Sequence, residues 1–228
     1  MNSNRLSAVL GVAFSLLAGT SHGEESGHGP VGFVRLLDAV GVGTGKLEFM
    51  IDGKSMRPDD YQLGNMTGGI ALKPGNHKMV FRREGVKDGV TQVLVVADDT
   101  TILIPFAEQV PATEMKPARW EIRIFKLNQQ ESEDKPMASF VSVSSEPELK
   151  VEMRQADGKW EPVFVKRLGV ARTMIKQSRG YMSVRCKEHE LSAVSVAAAG
   201  NFVSVLYDDE NGVLRSKTFQ DYKFLSAE

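Results

Sequence analysis

The strongest constraint in this sequence is a succession of short alternating runs, bounded by turn residues, that occurs twice. Residues 71–81 read ALKPGNHKMVF, an alternating apolar run entered through Pro-Gly-Asn, and MIKQSRGYMSVR at 174–185 has the same shape. The first half supplies VGFVRLL, KLEFMID, HKMVFRR, TQVLVVA, TTILIPF and WEIRIFKL, each rich in β-branched or aromatic residues. Asp52-Gly53 and Pro74-Gly75-Asn76 lie between them and reach turn dihedrals at little cost. A period of two places Leu47, Phe49 and Ile51 on one face and Glu48 and Met50 on the other. In the last run Trp120, Ile122 and Ile124 are expected inward, with Glu121 and Arg123 outward. No window of eleven or more residues sustains a capped helical period outside the first segment.

The order then repeats. FVRLLDAV is echoed by FVSVSSEP, and KLEFMIDGK by ELKVEMRQADGK with its own Asp157-Gly158 turn. GGIALKPGNHKMVFRRE is echoed by ARTMIKQSRGYMSVRCKE, and TQVLVVADDTTILIPF by LSAVSVAAAGNFVSVLY. Matching landmarks (Leu47 and Leu149, Gly75 and Gly180, Ile102 and Phe202) are separated by 102, 105 and 100 residues. The chain is therefore expected to be all-β, with two tandem immunoglobulin-like antiparallel β-sandwich domains at 30–127 and 137–228. Between them NQQESEDKP (128–136) has charge and proline but no apolar residue, the composition of a linker.

The first segment carries one positive charge, Arg5, then an apolar stretch from Leu6 to Gly19 that ends in small residues. This is the layout of a signal peptide spanning 1–23, and the stretch is too short for a membrane-spanning helix of about 20 residues. A periplasmic or secreted protein, not membrane-spanning after cleavage, is the expectation. The single cysteine, Cys186, allows no internal disulfide, so packing alone must hold both cores. It shares a strand face with Met182 and Val184 and is expected to be buried and inert.

Charge excludes one class of partner. Lys plus Arg is 28 and Asp plus Glu is 29, which leaves no dominant basic footprint for nucleic acid. Catalytic motifs are also missing. Gly41, Gly43 and Gly45 have the wrong spacing for a phosphate loop, and Lys46 is followed by Leu47 rather than Ser or Thr. His77 and His189 lie far apart, each without a nearby second ligand, so no metal site is expected. The acid pairs Asp59-Asp60, Asp98-Asp99 and Asp208-Asp209 read as solvated turns rather than converging carboxylates. The expectation is a non-enzymatic protein without a cofactor.

One local bias stands out. Between Lys166 and Lys187 the chain has seven basic residues and no acid. Arg185 and Lys187 share one strand face. If the neighbouring strand brings Arg172 and Lys176 alongside, the four form a positive stripe for an anionic polysaccharide or an acidic surface of an envelope protein complex.

GFVRLLDAV, KLEFMIDGK, GGIALKPGNHKMVF and TTILIPF together resemble the DUF4397 family of short bacterial envelope domains, with its VR opening, DGK turn and L-x-P-G strand entry. The paired arrangement, with FVSVSSEPELKVEMRQADGKWEPV opening the second copy, is similar to the periplasmic accessory proteins of alginate O-acetylation. That resemblance implies an adaptor or polymer-binding component working beside separate acetyl-transfer enzymes, and carries over no catalytic residue. The alternative is a generic envelope or surface module for protein binding or adhesion.

Overall fold

A computed structural model describes residues 29–56, 62–129, 135–176, 179–187, 189–196 and 200–221. The leader at 1–23, the central linker residues 130–134 and Asp59-Asp60 lie outside them. The described chain is all β. The first unit contains β1 (Gly32–Leu36), β2 (Thr44–Ile51), β3 (Lys54–Ser55), β4 (Ile70–Leu72), β5 (Gly75–Glu84), β6 (Val86–Val95), β7 (Thr100–Val110) and β8 (Arg119–Asn128). The second contains β9 (Met137–Ser142), β10 (Glu148–Arg154), β11 (Trp160–Lys166), β12 (Val170–Met174) and β13 (Gly180–Met182). It continues with β14 (Val184–Cys186), β15 (His189–Glu190), β16 (Val194–Val196), β17 (Asn201–Asp208) and β18 (Leu214–Asp221). Among the described residues no helix is long and apolar enough to cross a membrane.

The repeat is visible in the pairing. β1 lies antiparallel to β4 and parallel to β7, which lies antiparallel to β8. In the same way β9 lies antiparallel to β12 and parallel to β17, which lies antiparallel to β18. β2 sits between β3 and β5, and β10 between β11 and β14. The long β5–β6 hairpin has as its counterpart two broken strands, β13–β14, that return through β15–β16. The β1–β7 and β9–β17 pairings, and the single-residue β6–β8 contact, are parallel where an antiparallel sheet was expected. β1 and β7 are far apart in sequence, and the intervening strands form the crossover that a parallel pair requires.

In the first unit one continuous sheet, ordered β3-β2-β5-β6-β8-β7-β1-β4, folds over on itself. The fold line is the β6–β8 contact, paired only at Lys87 and Glu121. Gly89 allows the close approach there, because a Cβ on it would lie 2.7 Å from Ile122 Cγ2 and 2.9 Å from the Ile122 carbonyl oxygen. The enclosed core includes Val34, Leu36, Leu47, Met79, Leu103 and the stacked rings of Phe49 and Phe81, 5.0 Å apart. The second unit closes around Phe140, Leu149, Met153, Met182, Val184 and Phe202. Cys186 is buried in this core, and burial pushes its thiol pKa up, which suppresses the reactive thiolate.

A third apolar layer joins the two units. Leu37, Ala39, Ile102, Ile104, Phe106 and Leu127 of the first pack against Val141, Val143, Val203, Val205 and Tyr207 of the second. Strands β1, β7, β9 and β17 are therefore buried on both faces, which explains why ILIPF and VSVLY are nearly continuous apolar runs. Each such side chain contributes about 1.5–3 kcal/mol relative to exposure. Polar contacts seal the rim. The Arg35 guanidinium lies 4.9 Å from the Phe219 ring centroid, and Arg167 Nη2 donates to Glu108 Oε1 at 2.9 Å.

The layer also corrects the repeat register. Ile102 faces the second unit, whereas Phe202 points into its own core, so the true counterpart of Ile102 is Val203. A slip of one residue in a strand exchanges its faces. Glu121 is likewise on the face away from the first core but is buried, clasped by Lys87 at 2.9 Å and Arg119 at 2.8 Å. Those two hydrogen bonds hold its carboxyl down to about 2.

Candidate functional site

The structure separates the four basic residues. Arg172 is on β12, which pairs with β9, while Arg185 is on β14 in the other sheet beside β10. Lys176 is bound by Glu161, which falls on the core-side row of β11 with Val163 and Val165. Arg185 occupies the solvent-side row, where its Nε meets Glu152 at 2.8 Å and its guanidinium lies 4.1 Å from the Trp160 ring centroid. Lys187, in a turn with φ of 49°, reaches Glu146 at 2.6 Å. Hydrogen bonding to Glu146 raises the Lys187 pKa, and bonds from Lys150 and Arg185 lower that of Glu152. Only Arg185 and Lys187 remain neighbours, and each has an acid partner. The compensating carboxylates come from strands distant in sequence, which a local count of charge does not register.

Two other readings acquire a geometry. The glycine run at 41–45 joins strand to strand, β1 to β2, and Gly43 and Gly45 have φ of 89° and 73°. His77 locks the β2–β3 turn: Nδ1 lies 2.7 Å from Asp52 Oδ2 and Nε2 2.8 Å from the Lys73 carbonyl oxygen. The Lys73 carbonyl and then the Asp52 carboxylate raise its pKa despite partial burial. Among the described residues no group of three or more His, Cys, Asp or Glu is placed to hold a metal ion.

The prominent concavity lies at the junction of the units. This cleft of about 830 Å³ is walled by the end of β7 (Phe106 to Gln109), the bend after β1 (Ala39, Gly41, Val42) and Trp120 on β8. The second unit supplies Val143, Ser145, Pro147, Arg167, Asp208, Asp209, Glu210 and Gly212. Trp120, expected inward, instead leaves 38% of its surface exposed at the cleft, because it lies beyond the end of the first core.

The polar groups of the cleft are held in place. Glu108 takes Arg167 on one oxygen and Arg123 on the other, at 2.9 and 3.3 Å, and so ties the units across the cleft. Asp208 accepts from Ser144 Oγ and the Ser145 amide, both at 2.7 Å. Asp209 accepts from the Asn211 and Val213 amides at 2.9 Å and from Arg215 Nε at 2.8 Å. Burial alone would raise its pKa, but these bonds hold it below the usual carboxylate range. Asp208-Asp209, read from sequence as a solvated turn, is therefore a fixed part of the junction.

Glycines set the closeness of the wall. A Cβ on Gly41 would lie 2.2 Å from the Asp208 carbonyl oxygen, and one on Gly64 2.3 Å from Tyr207 Oη. Gly41→Ala is expected to cost about 1–3 kcal/mol by forcing the edge apart. A lowered urea midpoint with an unchanged slope would show it, and an unchanged midpoint would mean the edge yields freely.

A second cavity of about 400 Å³ is lined by Asp38, Lys46, Gln62, Leu63, Arg83, Tyr207, Asp209, Glu210 and Arg215. Asp38 is wholly buried; Oδ1 accepts from the Val40 amide at 2.9 Å, and Oδ2 lies 3.7 Å from Arg83 without a hydrogen bond. Burial raises its pKa to about 6, against the opposing pull of the Val40 amide and the Arg83 charge.

No family model and no curated protein matches the sequence. Among solved structures the chain is similar to the Bacillus anthracis TIE protein, with 10% identity and a TM-score of 0.26 over 83% of this chain and 51% of that one. It thus spans about half the length of that protein. It is also similar to a family CBM26 module from Eubacterium rectale Amy13K, crystallised with maltoheptaose, at 10% identity and a TM-score of 0.26, covering 85% of this chain and 98% of the module. The fimbrial anchor protein Mfa2 from Porphyromonas gingivalis matches at 11% identity and a TM-score of 0.23, covering 85% of this chain and 100% of that one. Likenesses of this strength assign neither a fold family nor a function.

Proposed function

We propose that the protein is a non-enzymatic accessory or adaptor protein of the periplasm or cell envelope that serves exopolysaccharide modification of the alginate O-acetylation type. The observation that carries this reading is the junction cleft, whose walls come from both copies of the repeat and are fixed by the shared apolar layer. A preformed cleft with an apolar wall and a few held polar groups is a binding geometry. The leader-like first segment and the motif resemblance supply the address and the process. Deletion of the gene is expected to lower the O-acetyl content of the secreted polymer while leaving its yield intact, with restoration by the wild-type chain. Unchanged acetylation would overturn the reading.

A second reading, a protein-binding or adhesion module unrelated to acetylation, is favoured by a different surface. Val90 and Leu94 on β6 and Val96 just past its end are 57%, 62% and 51% exposed, and Val80 pairs with Val90 beside them. A neighbouring gene for a membrane-bound O-acyltransferase favours the first reading; adhesion or pilus genes favour the second.

A further inference from the structure

We infer that the outer face of β10 and β11 binds an acidic polysaccharide segment, its sugar rings laid along Trp160, Pro162 and Phe164 and its carboxylates held by the cations beside them. The inference goes beyond the adaptor reading, because this face is a surface other than the junction cleft. Alternation buries Val163 and Val165 in the second core and turns Trp160, Pro162, Phe164 and Lys166 to the opposite side. Phe164 is 57% exposed and Pro162 is exposed, while Trp160 is half-buried under the Arg185 guanidinium, 4.1 Å from its ring centroid. At about 3.4 Å per residue, the row from Trp160 to Lys166 runs roughly 20 Å along the strand.

The apolar strip is narrow. Every residue opposite it on β10 is charged: Arg154 faces Trp160, Glu152 faces Pro162, Lys150 faces Phe164 and Glu148 faces Lys166. A protein interface wants a broader apolar centre with charge kept to its rim. A flat chain of pyranose rings fits the narrow form, with its C–H faces on the apolar row and its polar edge toward the charged one. Strand addition is disfavoured although β11 ends its sheet, because Pro162 has no N–H to offer and Lys166 charges the edge. Charge then decides the class of sugar. Cations stand at both ends of the row, Arg154 and Arg185 at Trp160, Lys150 and Lys166 at Phe164. These four outnumber the acids of the face, Glu148, Glu152 and Glu190. Glu152 is engaged by Lys150 at 3.1 Å and by Arg185 at 2.8 Å, and Glu190 is on β15 at the far edge of the sheet. Arg154 and Lys166 are exposed and form no ion pair among the described residues. A carboxylate on the sugar gives both a charge-assisted partner, which a neutral glycan does not.

The test titrates the full mature chain, by calorimetry at low salt, with mannuronate and galacturonate hexamers, with mannohexaose and with hexaglutamate. Saturable binding of a uronate hexamer is expected, with mannohexaose and hexaglutamate each at least about tenfold weaker. Phe164→Ala is expected to weaken the uronate by at least about tenfold. The double variant Arg154→Ala with Lys166→Ala is expected to do the same and to flatten the salt dependence. All three side chains are exposed, and matching thermal midpoints establish that the variants fold. No saturable binding of either uronate, equal binding of mannohexaose or hexaglutamate, or wild-type affinity in Phe164→Ala or in the double variant would each overturn the inference. So would self-association that Phe164→Ala abolishes, since the row would then be a contact between copies. The O-acetyl content of the polymer after gene deletion is read separately, so this failure is distinct from failure of the adaptor reading.

Discussion

Ile104→Asp is expected to remove roughly 4 kcal/mol or more of stability, because it deletes a buried aliphatic group and puts a carboxylate in its place. Ile104 is wholly buried between the units, among residues of both. Total stabilities of domains are about 5–15 kcal/mol, so the loss is a large share of what holds the molecule together. The two inner cores do not contain this side chain. The expected signature is therefore specific: calorimetry resolves two transitions where the wild type shows one, and small-angle scattering gives a larger radius of gyration before the second melts. Ile104→Val, which keeps the surface apolar, is expected to cost about 0.5–1.5 kcal/mol and preserve the single transition. Wild-type behaviour in the Asp variant would mean the layer adds little to cohesion.

Stability is expected to fall by roughly 3 kcal/mol as pH rises from about 4 to about 6, through Asp38 alone. The sign follows from proton uptake. The folded carboxyl titrates near 6 and the unfolded one near 3.8, so in that window the native state holds a proton the unfolded chain has released. Above the window the penalty is constant. Lys46, Arg83, Tyr207, Asp209, Glu210 and Arg215 line the same cavity. Asp38→Asn is expected to flatten the curve there, because an amide keeps an acceptor for the Val40 amide and does not ionise. Glu121 acts oppositely and lower: its contribution is complete above about 4.5 and is lost as pH falls toward about 2. Urea midpoints from pH 3.5 to 7 for wild type and Asp38→Asn decide the matter; parallel curves would sink it.

The sequence made the strands legible because alternation and turn chemistry are local. Leu47, Phe49 and Ile51 face the first core, and Gly53 and Gly158 occupy turns with φ of 80° and 82°. The layer between the units was less legible. Its signal was present in TTILIPF and NFVSVLY, where alternation gives way to unbroken apolar residues, but a short run of that kind does not reveal what covers each face. The candidate site was the least legible part. Trp120 continues an inward-facing row, and only the length of the core beneath it determines that it emerges at the cleft. Asp208-Asp209 next to Asn211-Gly212 reads as an ordinary hairpin tip, and its bonds to Ser144, Ser145 and Arg215 depend on contacts distant from a sequence neighbour's view.

A polypeptide holding only one of the two repeats would carry a greasy back, formed in the first by Ile102, Ile104 and Phe106 and in the second by Val203, Val205 and Tyr207. Such a half-molecule is driven to pair back to back with a twin, at a strength set by its own concentration. Joining the halves in one chain makes that union independent of dilution.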